Sequence, residues 1–136
     1  MSAIVAVING ARAARREELA TRALAAIGQR GAEISRVASC GDATLGIASD
    51  AWETPTGRES SVAIASEAGI VVVADAALYY RTDLLRALRA SDARPSGTTA
   101  AHVILAAYRA WGEQCAGRIE GDFAFIVWDS VARRLV

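Results

Sequence analysis

Few side chains in this sequence can do chemistry unaided. The single histidine is His102, the two thiols are Cys40 and Cys115, and Asp75 follows the apolar run Ile70 to Ala74. Two cysteines do not make a disulfide framework, and one histidine does not make a metal cluster. No carboxylate is fixed near His102 in sequence, so it reads as a surface or helix-packing residue rather than a base. Cys115 precedes a turn and reads as packing, while Cys40 beside Gly41 reads as incidental to a hairpin. Asp75 has two readings: a turn residue, which is preferred, or a carboxylate lining a pocket and able to hold a cation. No metal site is expected.

The elements around these residues follow from periodicity. Ile4 to Ile8 is a β-branched-rich apolar run without polar alternation, the pattern of a strand covered on both faces, and Asn9-Gly10 ends it. From about Ala14 to Arg30 the pattern is helical, with Leu19, Ala23, Leu24 and Ile27 on one face and Gly31 as the stop. Arg12, Arg15 and Arg16 are offset by Glu17 and Glu18, which suits a solvated helix face.

Short strands are predicted at about Ile34 to Ser39 and Thr44 to Ala48, turning at Cys40-Gly41-Asp42. Asp50 to Ser60, with Pro55 and Gly57, reads as a loop. Val62 to Ala65 and Ile70 to Ala74 flank Glu67-Ala68-Gly69 as a hairpin. A helix is expected from about Thr82 to Ala90, where Leu84, Leu85 and Leu88 share a face, and Ser91 to Thr98 is a loop. Thr98 or Thr99 can cap a second helix to about Trp111, ended by Gly112. After a short helical turn, Phe123 to Trp128 alternates apolar residues on both faces, the signature of a strand between two layers. Asp129-Ser130 turns the chain, and Arg133 to Val136 begins a further strand that the sequence leaves unfinished.

Composition bounds the function. With 136 residues the chain is one domain's worth, and 53% hydrophobic residues argue against disorder. Fifteen Lys plus Arg balance fifteen Asp plus Glu, so no overall basic charge draws nucleic acid or anionic lipid. The first residues lack the basic and apolar regions of a signal peptide, and no apolar run approaches the roughly 20 residues that cross a bilayer. These absences point to a cytoplasmic protein.

The stretches Val73 to Leu88 and His102 to Asp129 carry a more specific likeness. Ile104, Leu105, Tyr108 and Gly112 fit an "ILxxYxxxG" helix, and Gly121, Phe123, Ala124, Phe125, Trp128 and Asp129 fit a "GxFAFxxWD" strand. Arg30-Gly31 sits where an "Arg-Gly-Pro-Asp" segment would follow the first helix. In these words the sequence resembles the N-terminal glutaminase domain of asparagine synthetases, strongly in its second half and weakly between Ser39 and Ala68. The resemblance implies an α/β (α+β) fold, a four-layer αββα sandwich of the N-terminal-nucleophile hydrolase type with two mostly antiparallel sheets. It implies that residues 1–136 are a truncated glutaminase-like domain whose C-terminal strands, and the synthetase domain beyond them, are missing.

The family begins "Met-Cys-Gly-Ile", and loss of Met makes Cys the first residue. Its thiol attacks the glutamine side-chain amide while the α-amine, with a reference pKa of about 7.7–8.0, accepts the proton. Here the start is Met1-Ser2-Ala3-Ile4, so Ser2 holds the nucleophile position with a hydroxyl, a much weaker nucleophile than a thiol near neutral pH. The family's Asn-Gly pair, which stabilises the oxyanion, falls on Asp75 and Ala76; a carboxylate there repels an oxyanion. The Glu after that pair is Ala77. The Asp that holds the substrate's α-amino group falls on Ala100, with His102 where a Glu stood. The Arg of the family's "Leu-Ala-His-x-Arg-Leu" strand has no counterpart near Leu45 to Asp50. Together these changes read as loss of glutamine use.

The resulting expectation is a degenerate glutaminase-like domain, inactive alone. It would serve as a structural part of an ATP-dependent amide-forming ligase, in the manner of β-lactam synthetases and lasso-peptide cyclases. ATP and Mg would belong to the missing synthetase domain, with no cofactor in this chain. The expected partners are that domain and a possible second copy, not nucleic acid or membrane. The alternatives are an active amidohydrolase using Ser2 and a stand-alone interaction module.

Overall fold

A computed structural model describes residues 2–27, 34–50 and 62–136. The expected stop at Gly31, the Arg30-Gly31 likeness and nearly all of the Asp50 to Ser60 loop lie outside the described residues. Among the described residues there are seven strands and three α-helices. In order they are β1 (Ala3–Ile8), α1 (Ala13–Ile27), β2 (Ile34–Cys40), β3 (Ala43–Ser49), β4 (Val62–Glu67), β5 (Ile70–Leu78), α2 (Arg81–Ala90), α3 (Ala100–Trp111), β6 (Gly121–Asp129) and β7 (Arg134–Leu135). A 3-10 helix, Gly112–Arg118, joins α3 to β6.

The strands form two sheets, ordered β1-β3-β2 and β4-β5-β6-β7, and every pairing is antiparallel. α1 packs on the outer face of the first sheet and α3 on the outer face of the second, while the inner faces meet each other. This is the four-layer αββα sandwich. Two-residue turns set the register of both tight hairpins. Cys40 pairs with Ala43 around Gly41-Asp42, and Glu67 pairs with Ile70 around Ala68-Gly69. Ala68 and Gly69 both have positive φ (50° and 81°), the conformation whose twist matches a two-residue hairpin.

Strand alternation divides the core in two. Ile4, Ala6, Ala43, Leu45, Ile47, Val62, Ile64, Val71, Val73, Ile126 and Trp128 fill the space between the sheets. Val72, Ala74, Ala76 and Val127 point the other way, against Val103, Ile104 and Ala107 of α3 and Leu84 and Leu88 of α2. β5 is one of the two inner strands of its sheet and is buried on both faces from Ile70 to Ala74. Hence its unbroken apolar run, since neither face meets water.

Three expectations need correction. The buried stripe of α1 is Arg16, Ala20 and Leu24, and Ile27 is 51% exposed. A Cβ at Gly46 would lie 2.9 Å from Leu24 Cδ1, so glycine on β3 makes the seat for Leu24, the residue the expected and observed stripes share. Arg16 is not on a solvated face. It is buried, donating from Nη1 to the carbonyl of Ala11 and from Nη2 to that of Gly41 at 2.6 Å, which ties the helix to the β2–β3 turn. In β6 only Val127 and Trp128 are buried, whereas Phe123 and Ala124 are exposed. The two layers enclose the strand only toward its C-terminal end.

Candidate functional site

Ser2 precedes β1 by one residue, and strand alternation puts it on the same side as Ile4 and Ala6, facing the space between the sheets. Asp75 lies two residues beyond Val73 on β5, so its side chain enters the same space from the opposite sheet. The two meet: Ser2 Oγ donates a hydrogen bond to Asp75 Oδ2. Asp75 pairs with Val62 on one side and Ala124 on the other, which places it in mid-strand. The preferred reading of Asp75 as a turn residue is therefore wrong. The run Ile70 to Ala74 ends at Asp75 because the core between the sheets ends there, not because the strand does.

The other positions singled out by the resemblance do not gather at this pair. Ala76 has the opposite strand parity and is buried in the core beneath α3. Ala77 shares the parity of Asp75 but is exposed at the end of the strand. Ala100 opens α3 and is buried in the helix-side core, where a methyl group suffices. β3 carries no arginine; the one on its neighbour β2 is Arg36, which pairs with Ile47.

His102 lies one turn into α3, and its Nδ1 is 2.7 Å from Thr99 Oγ1. A Cβ at Gly97 would be 2.7 Å from its Nε2, so the ring lies over the loop that leads into the helix. Thr99 takes the N-cap position with extended backbone, yet its hydroxyl serves His102 rather than a backbone N–H. Cys115 is fully buried, and burial pushes its thiol above the usual range, the state of an inert packing residue. Cys40 Sγ donates to the carbonyl of Gly69 at 3.3 Å across the two sheets. Among the described residues no group of His, Cys, Asp and Glu is disposed to hold a metal ion.

Sequence reasoning did not foresee a second polar contact on the same side of β5 and β6. Tyr79 Oη donates to Asp122 Oδ2 at 2.5 Å. The hydrogen bond and the charge of Asp122 both raise the Tyr79 pKa above its ordinary value of 10. The cue in the sequence is strand parity, because Asp122 and Ala124 share the inward face of β6 with Ile126 and Trp128.

Two facing antiparallel sheets, each covered by a helix, are compatible with the αββα sandwich of N-terminal-nucleophile hydrolases. Residues 1–136 match the family model described as a glutamine amidotransferase domain, and the chain belongs to that family. No curated protein matches it.

Proposed function

We propose that this glutamine amidotransferase domain no longer hydrolyses glutamine and acts as a structural half of an ATP-dependent amide-forming enzyme of the asparagine synthetase type. The observation that carries the reading is the hydrogen bond from Ser2 to Asp75. The reaction would need a strong nucleophile, a neutral amine as base and donors aimed at the developing oxyanion. The pair offers a hydroxyl and a carboxylate. A carboxylate beside Ser2 favours the charged form of any α-amine at that residue, which opposes its use as a base. It also repels negative charge forming on a substrate oxygen.

Chemistry that needs no ammonia removes any use for a glutaminase pocket. Ligases that activate a carboxylate and couple it to an amine already in the substrate, peptide macrocyclases among them, meet that condition. ATP and Mg would then act in the synthetase domain, with this domain packed against it. The test is product formation by the full-length protein with and without glutamine or ammonium, together with glutamate release by this chain. The expected result is no glutamate and no dependence on either nitrogen source. Glutamine-dependent product would overturn the proposal. Stoichiometric labelling of Ser2 by an amide-directed electrophile would favour an active amidohydrolase instead.

A further inference from the structure

Away from the Ser2–Asp75 pair, a cavity of about 300 Å³ opens between α2 and the loop after it. Three arginines line it: Arg81 and Arg89 from α2, and Arg94 from the loop. On α2 the spacing Arg81, Leu85, Arg89 places one residue per turn along one stripe, so both guanidiniums reach the same side. Arg94 closes the cavity from the loop, beside Pro95.

The charge here is not compensated. No carboxylate lines the cavity among the described residues. Arg81 donates to the carbonyl of Thr98, which holds the loop to α2. The guanidinium groups of Arg89 and Arg94 make no ion pair or hydrogen bond among the described residues, although Asp92 is close in sequence to both. Most other described arginines on this surface do have partners. Arg86, on the same helix, pairs with Asp83 at 2.5 Å, and Arg109 with Glu67 at 2.5 Å. In a chain of zero formal net charge, three like charges around one concavity are the exception.

We propose that this cavity binds a small molecule bearing phosphate groups, a diphosphate or a phosphate ester. Guanidinium forks match pairs of phosphate oxygens, and three positive charges call for a multivalent anion rather than a monocarboxylate. The volume exceeds that of a single phosphate. Leu85 and Pro95 supply an apolar wall for an organic portion. Thr98 also lines it. The site shares no residue with the Ser2–Asp75 pair, and the inference does not rest on the proposed loss of glutaminase activity.

Calorimetric titration of the whole chain with inorganic pyrophosphate, and separately with phenyl phosphate, tests the proposal at low salt. The expected result is saturable binding of at least one probe, weakened about tenfold or more by Arg89→Ala and by Arg94→Ala. Arg86→Ala, outside the cavity, should leave it unchanged. Arg89→Lys keeps the charge but loses the fork, and should recover only part of the affinity. Tighter binding of phenyl phosphate assigns the site to an ester, and tighter binding of pyrophosphate assigns it to a diphosphate. Absence of saturable binding by both probes, or equal losses in Arg86→Ala and Arg89→Ala, would overturn the proposal.

Discussion

At one end of the space between the sheets, Trp128 is 4% exposed and its indole N–H donates to the carbonyl of Cys40 at 3.0 Å. There the carbonyl of Gly69 accepts from Ser130 N at 3.0 Å, Ser130 Oγ at 2.7 Å and Cys40 Sγ at 3.3 Å. Two hairpin turns and the chain after β6 are thereby joined. At the other end stand Ser2, Asp75, Ala77 and Ala124, half-buried or exposed, with one hydrogen bond joining the two sheets. Both ends use the same strands. The closed end is a packed core in which almost any change leaves a void or an unpaired polar group. The open end lacks that packing, so its side chains can change at less cost to the fold.

The comparison is broken most directly by Trp128→Ala. Removing a buried indole and its hydrogen bond should cost about 3–5 kcal/mol in urea unfolding. A much smaller loss would mean that the closed end is not a packed core. Gly121→Ala probes the limit of tolerance at the open end. Gly121 has φ +147°, and a Cβ there would lie 2.1 Å from the carbonyl oxygen of Ala77. The clash is with backbone, so about 2–4 kcal/mol should be lost, read from the same unfolding curves.

Asp75→Asn should change stability by less than about 1 kcal/mol, since an amide oxygen still accepts from Ser2. On the proposed loss of glutamine use, the variant should release no glutamate from glutamine, because residue 2 remains a hydroxyl and not a thiol. Glutamate release would identify the Asp75 charge as the sole barrier to catalysis.

Two smaller effects sharpen the picture. Tyr79 has a raised pKa in the folded state, so its contact with Asp122 contributes below pH 10 and is lost as pH rises through the folded value. The absorbance step missing in Tyr79→Phe should therefore lie above pH 10, and a step at or below 10 would refute the contact. Finally, iodoacetamide at mildly alkaline pH should modify Cys40, which is partly exposed, well before Cys115, which is buried with a raised pKa. Peptide mass mapping reads the order.

Much of the fold was legible in the residues. The apolar runs of β1 and β5, the two tight hairpins and the helix from Ala100 to Trp111 each bear a local pattern that only one backbone geometry satisfies. Less legible was which face meets which layer. α1 carries enough alanine to bury more than one stripe, and the one it buries runs through Arg16, Ala20 and Leu24. Arg16 reads as a solvated charge until the Gly41 carbonyl is brought to it.

The candidate site divides in the same way. Sequence alone determined that residue 2 is a serine, that residue 75 is a carboxylate and that Ala77 and Ala100 bear no charge, because residue identity fixes chemical capacity. Only tertiary structure decided that Ser2 and Asp75 touch while Ala76 and Ala100 turn into the helix-side core. Contact between residues 73 positions apart depends on the stacking of two sheets. Strand parity fixes each side chain's face but says nothing of the strand across the gap.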